Sequence, residues 1–355
     1  MGDSILIFSD IHIHPHKKDP KWVDSCLEVL EWVFDVAEKN NISDIVFGGD
    51  LFHDRAKIDI LTYHKTFDLL RKKLAPSNSP NLYLLLGNHD LWLHEKTDYS
   101  SVYPLSAIEK ITVISEPCTI KVGNHEMSFL PYTHDPIRDL EKIKNNYKPK
   151  VLVGHIAIDG AIFNSSGTLS EVNLEHDGEM IKVSKDIFND WDHVFLGHYH
   201  AEQKISKNVE YIGSPLQLSF GELGQKKHIV IFDFKTSEKI YIENNFSKVH
   251  RYLKETDNVD NIKGDYVKLF VNDVNDPKVI DLVQKLSKVV SHLSIRQNEK
   301  QVSEDLKNID NVQQMLNDDK SNIFEVFLDK SDLQDLSKEK LLEFVYKIIS
   351  YSPAN

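Results

Sequence analysis

Five short runs of His, Asp and Asn recur along the chain in a fixed order: Asp10-Ile11-His12, Gly49-Asp50, Gly87-Asn88-His89-Asp90, Gly154-His155 and Gly197-His198-Tyr199-His200. Imidazole nitrogens with carboxylate and amide oxygens suit divalent manganese, zinc or iron, and the lack of nearby thiolates argues against a purely structural zinc site. Read as one constellation, they supply two metal ions at about 3.5 to 4 Å, a separation at which both ions touch one phosphate and one water. Asp50 is the expected bridge. Asp10, His12 and His200 would complete one ion's shell, and Asn88, His155 and His198 the other's. The bridging water, made acidic by the ions, would attack phosphorus in line. His89, beside the ligand Asn88 but unable to aim easily at the same ion, is expected to protonate the leaving alkoxide, with Asp90 holding its ring in the required tautomer. On an extended segment Asp10 and His12, two apart, would point to the same face.

Such donors need rigid elements to aim them. Ser4 to Phe8 reads as a strand, Trp22 to Ala37 as a helix, Asp44 to Phe47 as a strand and Ile60 to Leu74 as a helix. Further strands are expected at Leu82 to Leu86, Val151 to Val153 and His193 to Leu196. Each of these strands but the first stops at a Gly-containing motif, the place where a layered α/β protein gathers its functional loops. From about Ser237 the pattern changes. Asp265 to Val271, Asp276 to Lys288 and Val289 to Gln297 read as strand, helix and strand, with Asp276 as N-cap and Pro277 in the first helical position. Leu341, Phe344, Val345, Ile348 and Ile349 recur at helical spacing after Ser337, fitting either a helix docked on its own domain or one that binds a partner, with Ile323 to Leu328 as its preceding half. The expected domains are 1–236, which carries the five motifs, 237–300, a small strand-helix-strand unit, and 301–355, a helical segment.

The chain has 355 residues with 42 Lys plus Arg against 55 Asp plus Glu, a formal charge of -13 that argues against strong independent nucleic-acid binding. Residues 248–300 carry 10 basic and 8 acidic residues, so this unit escapes the general acidity and is the better candidate to face DNA. The two cysteines, Cys26 and Cys118, form no CxxC pair, and no segment reaches membrane-spanning length. A reducing cytoplasm is the expected setting, with no membrane contact.

At the five motifs the sequence resembles the calcineurin-like metallophosphoesterase superfamily, whose pattern is DxH, GD, GNH(D/E), GH and GHxH. The resemblance spans about Asp10 to Phe220 and implies an α/β fold of four layers, α-β-β-α, in which two β-sheets pack together beneath outer helices, with a small α/β capping domain and a C-terminal helical segment following. Within the superfamily, Gly49-Asp50-Leu51-Phe52-His53 and the run from Tyr211-Ile212-Gly213-Ser214-Pro215 to Gly221-Glu222 are similar to the GDLFH and YxGSPxxLSFGE signatures of SbcC/SbcD-type repair exonucleases. That likeness implies a DNA nuclease using two divalent ions, manganese above all, with His53 contacting or orienting DNA phosphate. It also implies a coiled-coil ATPase partner gripped by the C-terminal segment, and a homodimer within the complex. The compact chain has no long basic tail, which suits a phage or minimal bacterial version that leans on its partner for DNA binding.

Two rival readings remain. A phosphatase or cyclic-nucleotide phosphodiesterase would use the same ions, although Leu86 stands where protein phosphatases place an arginine and Asp50 to Arg55 departs from their GDxxDRG spacing. A scaffold that kept the fold and lost catalysis would lack some ligands, whereas every expected position here carries a competent side chain.

Overall fold

The computed structural model describes residues 3–15, 20–93, 96–143, 147–162, 173–176 and 179–297. The helix expected after Ser337 lies outside these residues. Two six-stranded mixed sheets form the body. The first runs in the order Lys239–Glu243, His228–Asp233, Ser4–Phe8, Asp44–Phe47, Asn81–Leu85, Ile111–Ile114; its last four strands are mutually parallel. Its participation of Lys239–Glu243, antiparallel to His228–Asp233, carries this sheet past residue 236. The second runs Gln203–Lys204, Val209–Tyr211, His193–Gly197, Val151–His155, His125–Leu130, Cys118–Val122.

Strand alternation explains the layering. In Ser4–Phe8, Ile5 and Ile7 point into a core shared with Met127, Phe129, Val151, Val153 and Phe195 of the second sheet, so the sheets lie face to face. Leu6 and Phe8 point the other way, into a core with helix α1 (Pro20–Lys39) and helix α2 (Ile60–Leu74). α1 turns Trp22, Val23, Cys26, Val29, Leu30, Val33, Phe34 and Ala37 inward at the 3–4 spacing of one helical face. Each large apolar side chain so buried contributes about 1.5 to 3 kcal/mol before entropy is counted. α2 begins where Asp59 accepts the Thr62 N–H at 2.9 Å and ends on Arg71, Lys72 and Lys73, charges that complement the helix dipole. The outer face of the second sheet is covered more thinly. Leu140 of the short helix α3 (Pro136–Lys142), Ile187 and Phe188 of a 3-10 turn, and Trp191 pack there on Leu152, Val194 and Leu196.

A three-stranded sheet, His250–Lys254, Tyr266–Val271, His292–Gln297, follows with helix α4 (Pro277–Ser287), which opens on Asp276 accepting the Lys278 N–H at 2.8 Å. By contacts, Met1–Phe270 with Asp276–Arg296 forms one compact unit. Of the second unit only Val271–Asn275 and Gln297 are described; there Gln297 Nε2 donates to the Asn272 carbonyl at 3.1 Å. Among the described residues no helix is long and apolar enough to cross a membrane. Because the parallel strands of both sheets end at one edge, the loops after Phe8, Phe47, Leu85, His155 and Gly197 meet in one place.

Candidate metal centre

The chain leaves its first strand through Asp10 and His12 in left-handed conformations, φ 57° and 51°, not in the extended geometry expected of this segment. Their backbone is fixed from the next loop: Asp10 N–H donates to Gly49 O at 3.0 Å, His12 N–H to Asp50 O at 3.1 Å and Ile13 N–H to Leu51 O at 2.8 Å. Convergence of the two donors thus comes from paired turns. Asp50 and His198 are left-handed as well, φ 62° and 97°, so half of the eight non-glycine residues with positive φ among those described are expected ligands. Each costs on the order of 1 kcal/mol, a strain that survives where surrounding structure over-determines it. Two glycines make room. A Cβ on Gly49, itself at φ 105°, would lie 2.5 Å from His155 Nδ1, and one on Gly87 would run into the Asp50 carboxylate.

The side chains close into two overlapping nests. His12 Nε2 lies 3.1 Å from His200 Nε2, 3.7 Å from Asp10 Oδ1 and 3.5 Å from Asp50 Oδ2. On the other side Asp50 Oδ2 lies 3.3 Å from His155 Nε2, which is 3.1 Å from Asn88 Oδ1, itself 2.9 Å from His198 Nδ1. Bonds of 2.0–2.2 Å to a central ion put neighbouring donors about 2.9 to 3.6 Å apart, so every one of these spacings but the 3.7 Å to Asp10 falls within the range for donors around a divalent ion, and Asp50 Oδ2 lies next to both groups. All seven expected ligands are brought together. Asp10, Asp50 and His155 are fully buried, and carboxylates so far from water require positive charge close by.

Ring orientation is built in from behind. His155 Nδ1 lies 2.7 Å from the Gly48 carbonyl, which makes it the N–H donor and leaves Nε2 to face the nest. His200 Nδ1 lies 3.0 Å from Glu222 Oε1, with the same effect. Glu222 is in turn held through Oε2 by the Leu218 N–H at 3.0 Å and the buried Lys227 ammonium at 2.7 Å, which also donates to the His200 carbonyl at 2.9 Å. Burial opposes ionisation of Glu222, but the His200 hydrogen bond and the Lys227 charge outweigh it and bring the carboxyl down to about 2. Glu222 and Lys227 have no part in the motif-based assignment; the only signal is the similarity of the run ending at Glu222 to a family signature.

Burial opposes ionisation of Asp50, but the charges of His155 and His12 outweigh it and hold its carboxyl well below the usual carboxylate range. Burial works against a charged His155, yet Asp50 raises it to about 9. His198 falls to about 4 through burial and the neighbouring His155.

His89 stands outside both nests. Its N–H donates to Asp50 Oδ1 at 2.7 Å, and its ring Nδ1 lies 2.5 Å from the His53 carbonyl, so Nδ1 is the donor and Nε2 is free of protein hydrogen bonds among the described residues. With His198 and His200 it lines a cavity of about 380 Å³. The role expected of Asp90 is corrected here. Its carboxylate accepts the backbone N–H groups of Asp50 (2.8 Å), Gly87 (2.9 Å) and Leu51 (3.0 Å), and makes no bond to the His89 ring. Burial and the Asp50 charge push Asp90 up to about 7, against the pull of those hydrogen bonds. His53 lies between His14, stacked at 4.3 Å, and His89, stacked at 5.3 Å. Burial and the surrounding histidines bring its ring down to about 3, so His53 is neutral at neutral pH and its carbonyl orients His89.

A profile of the family described as calcineurin-like phosphoesterase matches residues 4–231. The chain is 25% identical over 302 residues to Exonuclease subunit 1 of Enterobacteria phage T4, covering 82% of this chain and 83% of that protein. It is 25% identical over 244 residues to the SbcD component of the SbcCD nuclease of Staphylococcus saprophyticus, covering 66% of this chain and 56% of that one. With the same-named protein of Escherichia coli K12 identity is 21%, covering 61% of each. Among solved structures, nuclease MPE of Pseudomonas putida aligns with a TM-score of 0.30 at 15% identity, over 66% of this chain and 87% of that chain.

Proposed function

Because the chain belongs to the calcineurin-like phosphoesterase family, we propose that it is a two-metal nuclease that hydrolyses DNA phosphodiesters in repair and recombination. On this reading it is the nuclease subunit of a complex with an SbcC-type coiled-coil ATPase, and pairs with a second copy there. The observation that carries the proposal is the sharing of Asp50 Oδ2 by two nests of neutral and anionic donors, with His89 set beside them and outside both. The names of the relatives, an exonuclease subunit and nuclease subunits, support DNA as the substrate.

Asp10, His12, Asp50 and His200 would hold one ion, and Asp50, Asn88, His155 and His198 the other, with manganese favoured. Bound there, the pair would supply charge stabilisation at the phosphate and an activated water for in-line attack. The chain's own residues do the rest. Gly48 and Glu222 fix two imidazoles with Nε2 forward. The His53 carbonyl fixes the third, His89, so that its Nε2 can give a proton to the leaving 3′ or 5′ oxygen as the P–O bond breaks.

The test is cleavage of end-labelled duplex and single-stranded DNA with manganese, wild type against His89→Asn, with bis(p-nitrophenyl) phosphate as a control ester. Manganese-dependent cleavage that the variant loses is the expected result. Turnover of the ester with DNA untouched would overturn DNA as the substrate and leave a phosphodiesterase of another kind.

A further inference from the structure

The strands His250–Lys254 and Tyr266–Val271 run parallel in a register that sets His250 opposite Tyr266, Tyr252 opposite Lys268 and Lys254 opposite Phe270. With a strand period of two, these six side chains share one face. The face passes from apolar burial to solvent along its length. His250 and Tyr266 are buried and stack on each other at 5.2 Å, and Trp22 meets both rings edge-on. Tyr252 and Lys254 are exposed, and Lys268 and Phe270 are half-buried.

Phe220 joins this face to the metal centre. Its ring stacks on Tyr252 at 5.5 Å, with 5° between the planes, and meets His250 at 4.7 Å. It lies two residues before Glu222, which holds His200, and Ser219, Gly221 and Glu222 line the same cavity as His89, His198 and His200. The ammonium of Lys268 is 4.2 Å from the Phe220 ring centroid and 5.6 Å from that of Tyr252. Neither Lys268 nor Lys254 has an ion-pair partner among the described residues, whereas Arg251, on the same strand, is neutralised by Asp265 at 2.6 Å.

Among the described residues the Lys268 ammonium is seated over two aromatic rings, and Lys254 stands exposed on the same face. A cation–π contact leaves the outward hydrogens of the ammonium available to an anion. We propose that Lys268 and Lys254 form a second phosphate subsite, which grips the backbone of the nucleic acid strand whose scissile phosphate lies at the metal centre. Phe220 and Tyr252 set the position of the first ammonium. The inference rests on the nuclease reading, but its test is of binding and does not require cleavage.

The measurement is fluorescence anisotropy of a labelled single-stranded oligonucleotide with the full chain in chelator, repeated from 50 to 200 mM salt. Each lysine that neutralises a phosphate contributes about 0.7 to the slope of log affinity against log salt on single strands. Lys268→Gln should therefore lower the slope by about 0.7, and Lys254→Gln with Lys268→Gln by about 1.4. Lys268→Arg should restore it, and matched circular dichroism melts exclude misfolding as the cause. An unchanged slope in the double variant, or no binding by the parent at the lowest salt, would overturn the subsite. DNA that binds with the expected slopes but resists cleavage would sink the nuclease reading alone.

Discussion

The Asp90 carboxylate accepts the backbone N–H of Asp50 at 2.8 Å, and through Gly87 and Leu51 it staples the two loops that carry Asp50 and His89. A residue adjacent to His89 in sequence thus acts on the loop of Asp50, forty residues away. Replacing it by alanine leaves three buried donors without a partner, each worth about 1 to 3 kcal/mol. Asp90→Ala should lower stability by at least about 3 kcal/mol in urea unfolding. Asp90→Asn, which keeps one accepting oxygen, should lose less than half of that.

His89→Asn should keep two bound ions per chain by elemental analysis, since His89 belongs to neither nest. Turnover of a phosphodiester should fall about 100- to 10,000-fold, the usual contribution of a general acid. A variant that binds no metal would make His89 a ligand instead of the acid.

Glu222→Gln should weaken metal affinity about 10- to 100-fold, because the amide orients His200 without the negative charge that makes its imidazole a better donor. Isothermal titration with manganese would show it as a weakened second equivalent. Loss of both equivalents alike would indicate that the change disturbs the fold.

Both cysteines are raised by burial, Cys26 far more than Cys118, whose neighbour Glu116 adds to the effect. The thiolate is the nucleophile, so a raised value means less of it at a given pH. At pH 8 the native chain should react with Ellman's reagent at Cys118 more slowly than a free thiol, and faster as pH rises. Cys26 should react only after unfolding. A second rapid equivalent in native protein would contradict the burial of α1's inner face.

How far the sequence could be read depended on how local each signal was. α2 is legible from end to end, since Asp59, the apolar spacing and the basic last turn are all local. So are the strands Ser4–Phe8 and Asp44–Phe47, whose apolar runs are bounded by motif residues. The hairpin of Cys118–Val122 and His125–Leu130 has its mark in the two-residue Gly123-Asn124 turn, legible only to a reading that attends to turns. The conformation of Asp10 and His12 was not legible, because it is imposed by carbonyls of Gly49 and Asp50. Nor was the anchor of His89, a main-chain oxygen that any residue at position 53 would supply. Glu222 and His200 stand 22 residues apart, a spacing with no periodicity to betray the pair.

The four left-handed residues among the proposed ligands, Asp10, His12, Asp50 and His198, set selection for a sturdy fold against selection for a working centre. Glycine at position 10, 12, 50 or 198 would relax the backbone and remove a donor atom in the same step. Thermal screens run on chelated protein should therefore enrich such losses, and screens run with manganese should purge them. At these positions the metal, when present, decides which sequence counts as the stable one.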